Sequence, residues 1–126
     1  MTQKIEIESL NEIKLLVDNF YGKVRKDNIL ANIFNDIIKD NWPSHLEKMY
    51  RFWQTVLLKE HTYQGSPFAP HAQLPVNAKH FDRWKQLFFE TIDENFSGNK
   101  AEEAKFRATK MAEMFQLKID FLQQRG

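Results

Sequence analysis

The sequence contains no cysteine, four prolines, four glycines and almost no net charge. Without cysteine the chain has no disulfide framework and no thiolate metal ligand, so we expect a cytoplasmic protein. Its 18 basic and 17 acidic residues leave a formal charge of +1, which gives no electrostatic reason to bind nucleic acid or an anionic membrane. No apolar run approaches the roughly 20 residues that span a bilayer, and residues 1–8 lack the apolar centre of a signal peptide.

Aromatic residues, in contrast, are abundant. They make up 13% of the 126 residues, and eleven are phenylalanines. This length suits one domain with one core, so we predict a single domain over residues 1–126, with residues 1–8 as an N-terminal extension. So many rings in a small domain either fill the core or line a pocket for a flat apolar ligand.

Apolar residues recur at the helical period in five segments, and apart from a short polar–apolar alternation within residues 1–8 there is no strand pattern. The fold class is therefore predicted to be all-α. Capping residues mark where the helices begin. They are Ser9 with Glu12, Asp27 with Asn28, Asn41 before Trp42-Pro43, Asn77, and Asn99.

The stretch 63–75 interrupts this helical pattern. It contains three of the four prolines and also His71. Because proline lacks an N–H donor and disfavours helix in the preceding residue, the stretch is not predicted to be a continuous helix. Long loops in compact domains are often functional, so we predict that His71 binds a metal. An ordinary connecting loop with a surface histidine is the alternative.

Three residues with polar tips lie on stripes that should face the core: Tyr21, His45 and Trp84. Each is also explained as a core residue whose polar atom is satisfied locally. Taken together with His71 and the aromatic residues, they indicate a ligand pocket. Imidazole is a common metal ligand. Without cysteine or a clear carboxylate cluster, a single histidine suits haem iron better than zinc.

Several short motifs match one family in their order and spacing. The sequence resembles the group III truncated haemoglobins, which are small bacterial globins. The resemblance covers roughly Leu10 to Phe89, and the last helix matches only in character. The matching motifs are Phe20-Tyr21, 23–27, Ile33-Phe34, 42–45, Phe52-Trp53, 63–67, 71–74 and 80–84.

The resemblance implies a sandwich of two helices stacked over two, with haem b inside. His71 would be the proximal iron ligand, Tyr21 and Trp84 would face a ligand bound on the opposite side of the iron, and His45 would stand at the distal entrance. Further pocket residues implied by the resemblance are Phe20, Phe34, Met49, Phe52, Tyr63, Phe68, Leu74, Phe81 and Phe88.

Two assignments within this resemblance stay open. Pro70 precedes His71 where relatives can carry a basic side chain, so the cation that meets the haem propionates is not identified, and Arg83 is a guess. His80 is a rival proximal ligand. We prefer His71 because the family pattern places the iron ligand before the Leu-Pro step at 74–75.

Three functions are compatible with these residues. The first is a monomeric haem globin that binds dioxygen, NO and CO, for oxygen binding or transport. The second is a haem enzyme, either an NO dioxygenase or a peroxidase-like protein. It would need an outside electron donor such as a reductase, since the chain has no room for a reductase domain. The third is a helical module without haem, serving interaction or metal binding through its four histidines, His45, His61, His71 and His80.

Overall fold

A computed structural model describes residues 4–60 and 76–125, with side chains described through residue 121. These residues form five α-helices, as predicted, and a short 3-10 turn joins the second to the third. Within the described ranges, no helix is both long and apolar enough to cross a membrane. The helices are α1 (Leu10–Val24), α2 (Ala31–Ile38), α3 (Trp42–Leu58), α4 (Ala78–Asn95) and α5 (Asn99–Arg125).

Two of the five predicted caps, at Ser9 and Asn77, make capping hydrogen bonds at a helix start. The backbone N–H of Ser9 donates to Glu12 Oε1 at 2.9 Å at the start of α1. Asn77 Oδ1 accepts the backbone N–H of Lys79 at 3.0 Å at the start of α4. Pro43 lies in the first turn of α3, where a missing N–H costs nothing.

Two boundaries differ from prediction. α2 begins at Ala31, and Asp27 instead accepts the N–H groups of Ile29 and Leu30 at 3.0 and 3.1 Å. The carboxylate therefore caps the turn that leads into α2. Asn99 is the first residue of α5 and not its cap. Gly98 precedes it with φ +95°, a conformation that favours glycine.

The helices pack as two layers. α1 packs against α3 and α4, and α4 packs against α5. The pair α1 and α3 thus lies over the pair α4 and α5, which confirms the predicted arrangement of two helices over two. Small residues on the inner face of α5, Ala101, Ala104 and Ala108, are almost fully buried and let the helices approach closely.

The segment before α1 contributes to this core. The N–H of Ile5 donates to the carbonyl of Asn95 at 3.1 Å, and the carbonyl of Ile5 accepts the N–H of Ser97 at 2.9 Å. Ile7 is only 1% exposed. Within the predicted N-terminal extension, Ile5 is therefore tied to the connection between α4 and α5, and Ile7 belongs to the core.

Candidate functional site

A cavity lies between the two layers of helices. It encloses about 740 Å³ of empty space, part of which is open solvent. Its walls are largely apolar and aromatic, and all five helices contribute. The described lining residues are Tyr21, Leu30, Phe34, Met49, Phe52, Trp53, Val76, His80, Phe81, Trp84, Met111, Ala112, Phe115 and Ile119.

Two residues that carry a hydrogen-bond donor line this wall, Tyr21 from α1 and Trp84 from α4. Burial raises the pKa of the Tyr21 phenol above its ordinary range, so the hydroxyl stays protonated at neutral pH. Within the described part of the chain, neither the Tyr21 hydroxyl nor the Trp84 N–H has a hydrogen-bond partner. A polar group inside the cavity could accept from both.

The rings of Phe20 and Phe88 hold Trp84 in place. Phe88 stacks on Trp84 with centroids 5.5 Å apart and planes 3° from parallel. Phe20 meets Trp84 edge-on at 5.4 Å and Tyr21 at 4.9 Å. Phe20 and Phe88 were predicted to line the pocket. Among the described residues they lie behind the wall, where they fix the orientation of the donors.

His45 lies behind Tyr21 and not among the described wall residues. Its ring meets Tyr21 edge-on at 5.2 Å and Trp42 at 5.7 Å. Trp42 is fixed in turn by a hydrogen bond from its Nε1 to Asn35 Oδ1 at 3.2 Å and by the Arg25 guanidinium, 4.6 Å from the ring centroid. His45 therefore packs against the Tyr21 ring and restricts its position.

His80 lies on the cavity wall near the start of α4. Its Nδ1 accepts the backbone N–H of Asn77 at 3.0 Å, so in the neutral ring the proton sits on Nε2. A nitrogen that carries a proton has no lone pair for a metal. This hydrogen bond disfavours His80 as an iron ligand. His71 lies outside the described residues, as do His61, Tyr63, Phe68 and Leu74.

Arg83 binds a protein carboxylate. Its Nε and Nη2 both lie 2.6 Å from Asp27 Oδ1. Burial alone would raise the pKa of the Asp27 carboxyl, but hydrogen bonds from Arg83, Ile29 and Leu30 and the guanidinium charge hold it below its usual value. Because its guanidinium is engaged with Asp27, Arg83 is a poor candidate to meet haem propionates, and that guess is not supported.

Sequence reasoning missed the contribution of α5 to the site. Met111, Ala112, Phe115 and Ile119 all lie on the cavity wall. Their helical spacing marked them as core, but periodicity alone does not separate residues that face a cavity from those that face a neighbouring helix. In the described ranges no cluster of three or more histidine or carboxylate side chains could hold a metal ion.

Comparison with known proteins agrees with this geometry. The sequence model of the bacterial-like globin family matches residues 6–122. The group 3 truncated hemoglobin ctb of Campylobacter jejuni is 37% identical over 95 residues, which cover 71% of this chain and 75% of that protein. The crystal structure of group III truncated hemoglobin from Campylobacter jejuni superposes with a TM-score of 0.84 at 33% identity, covering 93% of this chain and 95% of the other. The fold, the cavity and these similarities show that the chain belongs to the bacterial-like globin family, among the group III truncated haemoglobins.

Proposed function

We propose that this protein binds haem b in the cavity and holds dioxygen and other diatomic ligands, including NO and CO, with Tyr21 and Trp84 as hydrogen-bond donors. The globin family implies a haem cofactor. The observation that carries the finer proposal is the pair of donors without described partners on a largely apolar wall.

The described residues fit a haem. A porphyrin is a flat, mostly apolar ring, and the cavity offers it apolar side chains from both layers: Phe34 and Phe52 from α2 and α3, and Phe81 from α4. Met49 adds a flexible thioether that adapts to an irregular surface. For the iron ligand we propose His71. The hydrogen bond that engages His80 Nδ1 supports this choice over its rival.

When bound, haem supplies an iron that takes up diatomic gases reversibly. The chain supplies the polarity around that ligand. A hydrogen bond to a charged acceptor contributes about 1.5–3 kcal/mol, so Tyr21 and Trp84 together contribute about 3–6 kcal/mol to holding a ligand that carries negative charge. Such a contribution slows escape by roughly a hundredfold or more. The site therefore favours tight binding and slow release over oxygen delivery.

Ligand dissociation tests the two donors. We expect Tyr21→Phe and Trp84→Phe each to speed dioxygen release by about tenfold or more, since each removes a hydrogen bond of at least 1.4 kcal/mol. CO release should change less because bound CO carries less negative charge. Tyr50→Phe is the matched control, because the Tyr50 hydroxyl donates to Asp18 and not into the cavity. Unchanged dioxygen release in both single variants would refute the assignment of the donors.

A separate experiment tests the iron ligand. The purified chain is titrated with haem, and the strong absorbance band near 400 nm that marks bound haem is followed. We expect His71→Gly to weaken haem binding strongly and His80→Gln to retain it. The opposite pattern would show that His80 is the proximal ligand. A chain that acquires no haem spectrum on reconstitution would refute haem binding altogether.

A redox reaction at the same site is a second proposal. A site with two hydrogen-bond donors retains a bound ligand longer than a site with one donor. A ligand that is retained has time to react with NO or to be reduced. Such turnover needs electrons from an outside donor such as a reductase. NO consumption by the dioxygen-loaded protein, measured with and without a supplied reductant, tests it. Equal NO loss in a haem-free control would exclude it.

A further inference from the structure

The phenyl ring of Phe20 contacts both donors of the cavity. It meets Tyr21 with centroids 4.9 Å apart and planes at 63°, and it meets Trp84 at 5.4 Å and 87°. Within the described ranges, Tyr21 has three other ring neighbours, and Trp84 has one, which is Phe88. Among the ring contacts of the described residues, Phe20 is therefore the one ring that the two donors share.

Phe20 has little freedom to move. Its side chain is almost fully buried, and besides the two donors it meets Phe88 edge-on at 5.1 Å and 86°. Phe88 in turn stacks on Trp84 and, at 5.1 Å and 21°, on the buried ring of Trp53. A shift of Phe20 would therefore disturb its contacts with three rings at once.

Contacts of this kind are directional. In an edge-to-face pair, the positive edge of one ring approaches the negative face of the other. A ring that keeps such contacts with two neighbours restricts the orientation of each relative to the other. For Tyr21 and Trp84, this orientation determines where the hydroxyl and the indole N–H point. Hydrogen bonds weaken steeply when the donor is misaligned, so the alignment of each donor depends on Phe20.

We propose that Phe20 is a positioning residue that couples Tyr21 and Trp84, so that the two donors act on a bound ligand as one unit. This inference rests on the proposed role of the two residues as donors to a diatomic ligand. The side chain of Phe20 has no polar atom and supplies no hydrogen bond of its own. Its contribution to ligand retention is to keep both donors aligned at the same time.

Dioxygen release measured in two backgrounds tests this role. In the otherwise unchanged haem-loaded protein, Phe20→Leu should speed release by about tenfold, because both hydrogen bonds lose alignment. In a chain that already carries Tyr21→Phe and Trp84→Phe, the same substitution should change release by less than about twofold, since no donor is left to align. A substitution that only reshaped the cavity would act in both backgrounds. An equal change in the two backgrounds, or no change in either, overturns the proposal.

Phe89→Leu is the matched control. Phe89 lies on α4, as Trp84 does, and packs against the core. The Lys105 ammonium lies over its ring, 5.7 Å from the centroid, and among the described ring contacts Phe89 touches neither donor. Its substitution should leave dioxygen release unchanged in both backgrounds. If Phe20→Leu does not fold, Phe20→Met is the second variant, because a flexible thioether adapts to the vacated space without offering a ring.

A measurement that does not depend on ligand release tests the coupling directly. The full chain is labelled with fluorinated tryptophan, and the fluorine NMR signal of Trp84 is assigned by its loss in Trp84→Phe. Tyr21→Leu, which removes the phenol ring, should shift or broaden this signal. In the Phe20→Leu background the response to Tyr21→Leu should be much smaller. An equal response in the two backgrounds would contradict coupling through Phe20.

The two measurements separate this inference from the proposed function. The NMR experiment is carried out on the purified chain and again with haem and CO bound, a diamagnetic state. A response of Trp84 that requires Phe20, found together with unchanged dioxygen release in Tyr21→Phe and Trp84→Phe, would refute the donors and still support the coupling of the rings. Accelerated release in those two variants without the Phe20-dependent response would support the donors and refute the coupling.

Discussion

We expect Asp27→Ala to destabilise the protein strongly, because this carboxylate has several partners. Its side chain is only 4% exposed. It accepts the backbone N–H groups of Ile29 and Leu30 at 3.0 and 3.1 Å and binds the Arg83 guanidinium at 2.6 Å. The single group thus joins the turn before α2 to α4, which carries the donor Trp84.

The expected loss follows from these contacts. Removing one partner of a buried ion pair costs about 3–5 kcal/mol. The Arg83 side chain is 31% exposed, so water partly replaces the lost carboxylate and reduces that cost. The two N–H groups lose a charged acceptor, and Leu30 is buried. We therefore expect the free energy of unfolding to fall by about 3 kcal/mol.

Chemical denaturation followed by far-UV circular dichroism measures this loss at neutral pH. Glu47→Ala is the control, because it removes an exposed ion pair with Arg51 that should contribute no more than about 0.5 kcal/mol. Arg83→Ala and the double variant complete a double-mutant cycle, which measures the interaction energy between Asp27 and Arg83. A loss below about 1 kcal/mol for Asp27→Ala would refute the importance assigned to this carboxylate.

The same pair predicts a pH dependence. Since folding lowers the pKa of Asp27, its contribution is fully present above the unfolded pKa of about 3.9. It is lost as the pH falls through the folded pKa. The difference in stability between the wild type and Asp27→Ala should therefore stay constant at higher pH and shrink in acid. A difference in stability that stayed constant down to the lowest pH measured would contradict the lowered pKa of Asp27.

Three further predictions concern other parts of the chain. Gly98→Ala should cost about 1–2 kcal/mol because φ is +95°, whereas Gly22→Ala, at an exposed position of α1, should stabilise by up to about 1 kcal/mol; loss of stability in both would contradict the conformational argument. Burial and the hydrogen bond to Asp18 raise the pKa of Tyr50 to about 12, so Asp18→Asn should lower it in an absorbance titration. Ala108→Leu should lower the free energy of unfolding by about 1–3 kcal/mol through overpacking, as measured by chemical denaturation. An unchanged free energy would show that unfilled space remains between the helices at this position.

Local sequence signals predicted the helices well. Capping at Ser9 and Asn77 depends on residues a few positions away, so it is visible in the sequence. Asp27 was predicted to cap α2 and instead caps the turn before it, and its pairing with Arg83, 56 residues later, was not predicted. A contact between residues so far apart in the sequence produces no periodic pattern. The role of Ile5 was missed for the same reason, since its partners Asn95 and Ser97 lie at the end of α4 and just beyond it.

The cavity was predicted in part. Tyr21, Phe34 and Trp84 were named from their positions on apolar stripes and from the family resemblance, and they line the wall. Phe20 and Phe88 lie on the same stripes but face other rings. The helical period identifies the side chains that face the interior. It does not show whether such a side chain faces a cavity or packs against another side chain. That distinction requires the packed arrangement of the layers.

The two backbone hydrogen bonds of Ile5 have a mechanical consequence. The N–H and the carbonyl of Ile5 bond to Asn95 and Ser97 on either side of the bend between α4 and α5. These bonds restrain the angle between the two helices. Among the described residues, the wall that they form is then the more rigid part of the cavity, and we expect the motion that admits a gas molecule to involve α2, a short helix of 8 residues. Amide exchange should accordingly be slow at Ser97 and fast along α2.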